Sequence, residues 1–240
     1  MKKVVYIALV LILLFAVGCT GGDKNAVSVP DGVETPEIVS RGNIACAQRP
    51  SPLTFTEGGM GENTEYMKMV VADITINGWL DESEYCSYYS ATVNDVLCGE
   101  VPQKRIAISS EGSTQIWIPG QLARPEKGER MIAFLARFYI EDTPNPLYTG
   151  EIETREWMAQ TFLMDLRLYC DVVEKDGELY VMDPTGDLTK PVTGQALPAD
   201  LFKEVAAVFR EEFPQKRCTY YRAFTYNDFS ALVEKYVPQN

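Results

Sequence analysis

The spacing of apolar residues is the feature that most constrains how this chain folds. Several segments between residues 66 and 182, such as 130–140, carry an apolar side chain at every second position. A period of two is typical of β-strands, in which successive side chains point to opposite faces. Helical spacing begins only after Pro184. Strands followed by helices, without alternation between them, predict an antiparallel β architecture rather than a doubly wound one.

Five to seven strands are expected before the helices. In segment 162–172 the apolar residues should face inward, whereas the charged ones, Asp171 among them, should face outward. The dipeptides Asn77-Gly78 and Asp176-Gly177 predict turns, because glycine accepts a positive φ. The expected strands span residues 66–76, 85–97, 105–109, 115–118, 130–140, 162–172 and 179–182.

Two helices are expected near the C-terminus. The first opens at residues 197–200 and is stopped by Pro214, which cannot continue a helix. The second is capped by Asn227 or Asp228 and ends before Pro238. The fold class is therefore mostly β within the α+β group, an antiparallel barrel or sandwich followed by two C-terminal helices.

The N-terminal residues have the pattern of an export signal. Lys2 and Lys3 precede the apolar segment 4–17, whose 14 residues are fewer than the roughly 20 that a membrane-spanning helix needs. Gly18 before Cys19 matches the bacterial lipobox, which predicts signal cleavage between them and diacylation of Cys19. An uncleaved anchor helix is the alternative. The expected location is the extracytoplasmic face of a bacterial membrane, with the chain held there by Cys19.

The chain is expected to have four parts. Residues 1–18 are the signal peptide, and residues 19–42, rich in Gly, Pro, Ser and acids, are a flexible tether with a reach of about 25–30 Å. Residues 43–183 form the β-barrel domain, and residues 184–240 form a helical extension packed on it. Cleavage leaves 20 basic and 34 acidic side chains, a formal charge of -14.

Short motifs in residues 43–140 resemble a known family. They are Ala45-Cys46-Ala47, the strand 69–78 (MVVADITING), the strand end 93–99 (VNDVLCG) and the strand 128–135 (GERMIAFL). Their order is similar to that of the secreted OB-fold modules of the netrin and tissue-inhibitor-of-metalloproteinases type. The resemblance implies an OB-like barrel.

Two positions depart from the pattern of that family. Cys98 replaces the usual basic residue, and Cys46 stands alone where Cys-x-Cys is common. In the protease inhibitors the N-terminal cysteine grips the target's zinc with its own amino group and carbonyl. Cys46 lies inside the chain behind a tether, so the resemblance implies the fold but not the inhibitor activity.

Five cysteines remain after Cys19. The exported setting permits disulfides, and the expected bridges are Cys46 with Cys98 and Cys170 with Cys218. A bridge between Cys86 and Cys98 is excluded if one strand joins them, because its ends lie about 40 Å apart. The alternative is that all five are buried free thiols.

The chain has no histidine, which excludes Ser-His-Asp triads, Cys-His pairs and His-ligated zinc sites. It also lacks GxSxG, SxxK and P-loop motifs, and it has no CxxC pair for zinc or redox work. No cofactor, metal or catalytic residue is expected. The 34 carboxylates leave a carboxylate-dependent hydrolase open as an alternative, because that chemistry needs only two acids at a suitable separation.

Aromatic residues are the candidate binding groups. Exposed rings offer sugars or protein loops a flat apolar surface with a polar edge. The alternative is that the rings fill the core. The candidates are Trp79, Trp117, Trp157, Tyr88 and Tyr220.

The sequence therefore predicts a non-catalytic, membrane-anchored module of the cell envelope that binds a protein or peptide. A module for carbohydrate or another small ligand is the first alternative, and the carboxylate-dependent hydrolase is the second. The acidic charge repels phosphates, so nucleic acid is not an expected partner.

Overall fold

A computed structural model describes residues 28–36, 43–44, 67–83, 86–117, 124–138, 161–184, 196–216 and 219–236. About half of the residues that the structure describes lie in β-strands. The strands described are β1 (Asn43–Ile44), β2 (Met67–Glu82), β3 (Cys86–Cys98), β4 (Arg105–Glu111), β5 (Ile116–Trp117), β6 (Arg130–Phe138), β7 (Phe162–Lys175), β8 (Glu178–Asp183) and β9 (Arg222–Thr225). The helices are α1 (Ala199–Glu212) and α2 (Tyr226–Tyr236).

Five strands close into a barrel in the order β4-β3-β2-β6-β7. Neighbouring strands in this order are antiparallel, and the barrel closes through parallel pairing of β4 with β7, where Ile108 lies opposite Phe162. This strand order is that of an OB-like barrel. The prediction of a mostly β, OB-like barrel followed by two C-terminal helices is confirmed.

The barrel interior is filled by alternate residues of its strands, as the period of two requires. Ile74 and Ile76 of β2 meet Tyr89 of β3 and Ile108 of β4 in one apolar cluster. Removing such side chains from water is the main favourable contribution to folding.

β2 bends sharply to serve the closed barrel. Its pairing with β3 shifts register four times, once at Ile76/Gly78. The dipeptide Asn77-Gly78 therefore lies at a bulge inside β2, and the turn predicted there is wrong. A bulge gives the extra curvature that barrel closure needs. Gly78 adopts the backbone conformation of this bulge, with a φ of 140°.

The second half of β7 continues beyond the barrel and pairs with β8, which pairs with β9. Helix α1 packs on this extension, where its Val205 and Phe209 meet Tyr180 and Met182. Helix α2 covers a cluster at the other face of β7, which includes Cys170, Val172, Phe229, Leu232 and Val233.

Both faces of β7 are consequently covered near its middle, and this overturns one prediction from the sequence. Asp171, expected to face outward, is fully buried. Tyr169 on the same face joins the barrel interior and Val173 lies under α1, so the face never meets water at this point. The alternation was right about the strand but wrong about which face is solvated.

The start of α2 also differs from the prediction. The helix begins at Tyr226, and Thr225 is the residue that caps it. The Thr225 hydroxyl accepts a hydrogen bond from the backbone N–H of Asp228 at 3.2 Å and donates one to its carboxylate at 2.6 Å. Asn227 and Asp228 lie inside the first turn, where an acidic side chain still favours the positive end of the helix dipole.

The hairpin predicted at Asp176-Gly177 is confirmed. Lys175 pairs with Glu178 across a two-residue turn whose φ angles are 55° and 80°. A turn with two positive φ values matches the twist of its strands.

We expect Gly177→Ala to lower the free energy of unfolding by about 1–2 kcal/mol, since a side chain is strained at positive φ. A Cβ at Gly177 would meet nothing within 4 Å, so the loss reports backbone strain alone. Gly177→Asn is the matched control and should lose less, because Asn tolerates this conformation. Urea unfolding measures both variants, and equal losses for Ala and Asn would contradict this explanation.

Candidate functional site

An extended N-terminal segment lies across the barrel. We call residues 28–36 the strap. Val33 and Trp79 form an antiparallel bridge: the Val33 N–H donates to the Trp79 carbonyl at 2.8 Å, and the Trp79 N–H donates back at 2.7 Å. These residues belong to the segment 19–42 that was expected to be a flexible tether. For the strap that expectation is wrong.

An apolar contact and an ion pair add to this bridge. Val29 is only 6% exposed and packs with Tyr88 of β3 and Ala107 of β4. Tyr88 and Ala107 alternate with residues of the barrel interior, so they lie on the outer face. The Asp31 carboxylate pairs with Arg105 at 2.9 Å. The strap therefore crosses β2, β3 and β4 with contacts to each.

Two glycines allow the close approach of the strap to β2. A Cβ placed on Gly32 would lie 2.2 Å from the backbone carbonyl carbon of Gly78. A Cβ on Gly78 would lie 2.4 Å from the carbonyl oxygen of Val33. Neither contact is sterically possible, so both positions need glycine while the strap is bound.

The surface under the strap is the candidate binding site. In OB-folds, the face of the second and third barrel strands is the surface that binds oligonucleotides and oligosaccharides. Those strands are β3 and β4 here, and the strap covers their outer face at Tyr88 and Ala107. This face holds an extended backbone through a β-bridge, an apolar contact and an exposed ion pair.

The aromatic candidates do not form one exposed platform. Tyr88 is 0% exposed beneath the strap, and Tyr220 is 7% exposed in the α1 cluster, so the prediction of exposed binding rings is wrong for both. Trp79 is half-buried and packs against the barrel interior. Trp117 lies in β5 but its side chain is outside the described residues, as is all of Trp157.

A second site, which the sequence did not indicate, is a buried charge cluster. The ammonium of Lys216, which follows α1, contacts the Glu129 carboxylate and lies 2.9 Å from Oδ1 of Asp171. The Tyr220 hydroxyl donates to Oδ2 of Asp171 at 2.7 Å. The side chains of Lys216, Glu129 and Asp171 are all fully buried.

The environment of this cluster is apolar and aromatic. The Lys216 ammonium lies 4.6 Å from the centre of the Tyr169 ring and 5.6 Å from that of Phe209. Burial raises the pKa of Asp171 to about 7, against the hydrogen bond from Tyr220, which lowers it. Burial therefore favours the neutral form of the Asp171 carboxyl.

Glu129 is held in place from the barrel side. Its Oε2 accepts a hydrogen bond from the Glu126 N–H at 2.8 Å, and its backbone carbonyl accepts one from the Ile76 N–H at 2.8 Å. The two buried carboxylates lack the solvent-accessible cleft that a glycan hydrolase needs. No signal in the sequence joins these positions, because they come from distant segments.

The cysteine predictions need correction. Cys86, Cys98 and Cys170 are free thiols, so the predicted bridges Cys46–Cys98 and Cys170–Cys218 are wrong; Cys46 and Cys218 themselves lie outside the described residues. Cys170 sits in the apolar cluster under α2, and Cys98 packs against the same cluster. Cys170 therefore behaves as a small buried hydrophobe, and the half-buried Cys98 packs at the edge of the same cluster. The exclusion of a Cys86–Cys98 bridge is confirmed, since β3 joins them as one strand.

Within the described residues there is no group of three acidic, cysteine or histidine side chains that could hold a metal ion. The same part of the chain contains no helix long and apolar enough to cross a membrane. Comparison of the chain with models of protein families, with curated proteins and with solved structures finds no match.

The three described thiols should differ in reactivity toward iodoacetamide at pH 8. Burial and then the neighbouring acids Asp183 and Asp171 raise the pKa of Cys170 well above its usual value. Burial and then Glu111 raise the pKa of Cys86 to about 11. The pKa of Cys98 is raised mainly by burial, and its side chain is only half-buried. The thiolate is the reacting form, so Cys98 should react first and Cys170 last.

Peptide mapping of the native protein measures this order, and the same reaction in guanidinium is the control, in which all three should react at similar rates. Alkylation of native Cys170 as fast as Cys98 would contradict the burial argument. A disulfide-linked peptide containing Cys170 and Cys218 would contradict the free-thiol assignment.

Proposed function

We propose that this protein is a lipid-anchored module of the bacterial cell envelope whose barrel binds an extended peptide of a partner protein on the outer face of β2, β3 and β4. In the free protein the strap occupies that face. The observation that carries the proposal is the docking of residues 28–36, because it demonstrates the kind of segment that fits there.

The strap defines the chemistry of the partner. Val29 supplies a small branched apolar side chain, Asp31 an acid for Arg105, and Val33 a backbone that pairs with Trp79. Gly32, between them, permits the approach to Gly78. A partner segment of the same type is extended, with an apolar residue, an acid two positions later and a glycine next to it. The Val33–Trp79 bridge resembles the addition of a strand to a sheet, whereas the apolar contact and the ion pair hold a segment that crosses the outer face of the barrel.

The carbohydrate alternative loses Tyr220 to the α1 cluster, and Tyr88 is buried on the outer face of the barrel beneath the strap. Binding of an extended backbone needs no exposed ring, so the same burial does not weaken the peptide proposal. The hydrolase alternative has no support in the charge cluster, where the carboxylates are fully buried.

The membrane anchor is part of the proposal and rests on the sequence. Val4–Val17, Gly18 and Cys19 have the layout of a lipoprotein signal. Eight residues, 20–27, lie between Cys19 and the start of the strap at Ser28, so nine peptide units connect the two. With the strap docked, a linker of that length has a reach of about 15–18 Å, so the barrel would stand close to the membrane surface.

The peptide-binding face is tested by loosening the strap with Gly32→Ala. The added methyl group collides with the Gly78 backbone and leaves the barrel strands unchanged. A fluorescent peptide with the sequence of residues 28–36 should then bind in trans. Because the strap competes at a high effective concentration in the wild-type chain, we expect the apparent affinity to rise by a factor on the order of ten or more in the variant.

Fluorescence anisotropy measures this binding. Glu34→Gln is the matched control chain: Glu34 is 85% exposed and its ion pair with Lys127 is long, at 4.0 Å, so its replacement should leave the strap docked and the affinity close to the wild-type value. A second peptide with Ala at the position of Gly32 should not bind either chain. If the native peptide binds Gly32→Ala no better than wild type, this face is not a peptide site.

The anchor is tested by growing a bacterial host that expresses the chain with a palmitate analogue. Wild type should incorporate the label and sediment with membranes, whereas Cys19→Ala should remain unlabelled, because diacylation supplies the two chains that stable anchoring needs. Cys46→Ala is the control for loss of a cysteine and should be labelled like wild type. Label retained in Cys19→Ala would remove the lipobox interpretation.

A further inference from the structure

The buried charge cluster brings together the groups that form an amide bond. The Lys216 Nζ lies 2.9 Å from Oδ1 of Asp171 and in contact with the carboxylate of Glu129. The Tyr220 hydroxyl donates to the other oxygen of Asp171 at 2.7 Å. An amine beside a carboxyl carbon, with a proton acceptor on the amine and a hydrogen-bond donor on the carboxyl, is the arrangement of nucleophilic acyl substitution.

We propose that Lys216 and Asp171 form an intramolecular amide cross-link, with Glu129 as the proton-transferring residue and Tyr220 as the donor to the carbonyl oxygen. The site is a self-modification site and needs no cofactor or second substrate. It is independent of the peptide-binding proposal, since the strap contacts none of these four residues in the interactions described above.

The reaction is balanced by the release of one water. Glu129 takes a proton from the Lys216 ammonium, and the nitrogen lone pair then attacks Cγ of the neutral Asp171 carboxyl to form the C–N bond. The electron pair of the C=O bond moves onto Oδ2, where the Tyr220 O–H donates. On collapse the Cγ–Oδ1 bond breaks, its electron pair stays on oxygen, and Glu129 carries the proton from nitrogen that completes the leaving water.

The protons balance as well. The ammonium brings three protons and the neutral Asp171 carboxyl brings one. The amide nitrogen keeps one, the water leaves with two, and Glu129 retains the fourth. No atom is oxidised or reduced.

Several observations make Asp171 the acceptor and Glu129 the proton carrier. The hydroxyl of Tyr220 polarises Asp171, whereas the Glu129 oxygen far from Lys216 accepts a hydrogen bond from the backbone N–H of Glu126. Burial favours the neutral form of Asp171, which is the electrophilic form of a carboxyl group. Exclusion of water keeps the Lys216 amine from being hydrated and lets a neutral amine persist.

The cross-link would join the barrel to the segment after α1. Residues 171 and 216 are 45 positions apart, and the segment between them includes β8 and α1. Closing this loop covalently would keep residues 171 and 216 joined in the unfolded chain, which restricts the unfolded state and favours the folded one. In an exported protein, the stability given by an amide cross-link would not depend on the redox state of the surroundings, whereas the stability given by a disulfide would.

The test is peptide mapping of the purified wild-type chain by mass spectrometry after full denaturation and reduction. Trypsin cuts after Arg167, Lys175, Arg210 and Arg217, and the amide blocks cleavage after Lys216. We expect residues 168–175 to be recovered joined to residues 211–217, with a mass lower than the sum of the two peptides by one water. The linked peptide should account for most of the protein.

The variants separate the roles of the residues. Lys216→Met, which keeps the side-chain length without an amine, should release unlinked 168–175. Glu129→Gln, close in shape to the native residue, should retain the fold by circular dichroism yet lose most of the linked peptide. Tyr220→Phe should form the link at least several-fold more slowly after refolding.

Three results would overturn the proposal. They are a wild-type chain in which residues 168–175 are recovered unlinked, a link that joins Lys216 to Glu129 instead of Asp171, and full cross-linking in the folded Glu129→Gln variant. The wild-type measurement requires no variant to fold, so the proposal is decided by it directly.

Discussion

The parallel pairing of β4 with β7 closes the barrel, and the other features of the structure depend on it. Closure requires β2 to bend, and the bend is made at bulges, one of which contains Gly78. The same glycine then gives the strap room to approach. Closure also fixes the position at which β7 leaves the barrel, so the rest of that strand can start the extension with β8. Both candidate sites are therefore consequences of how one sheet is closed.

The charge cluster fixes the position of the extension on the barrel, beyond simply holding it there. Burying charged groups in an apolar interior is costly, and removing one partner from such a group costs about 3–5 kcal/mol because it leaves an uncompensated charge. Lys216 can reach Glu129 and Asp171 only when the segment after α1 lies against β6 and β7. An apolar contact between α1 and the sheet would tolerate small shifts, whereas this arrangement of an amine, two acids and Tyr220 permits one position.

Much of the fold follows from local pattern. The period of two located the main strands, and the glycine in Asp176-Gly177 located a hairpin, because each signal is complete within a few residues. The features that the sequence did not predict depend on contacts between distant residues or on segments too short to show a pattern. β9 has four residues, too few to show a period, and the burial of Asp171 depends on elements that cover both faces of β7. Docking of the strap depends on Gly32 meeting Gly78, a contact that a Gly- and Pro-rich composition cannot reveal.

Docking of the strap and distance from the membrane are coupled if Cys19 carries the lipid. When the strap is released, its nine residues become part of the linker. The next contact of the described chain with the rest of the fold is then β1, which starts at Asn43 and pairs with β5. The linker then has about 24 residues, and its reach grows from about 15–18 Å to about 25–30 Å. A partner peptide that displaces the strap would therefore both occupy the barrel face and let the barrel move away from the membrane. If the signal is cleaved, the body carries a formal charge of -14 and would be repelled by anionic headgroups, so electrostatics would favour the released, extended state.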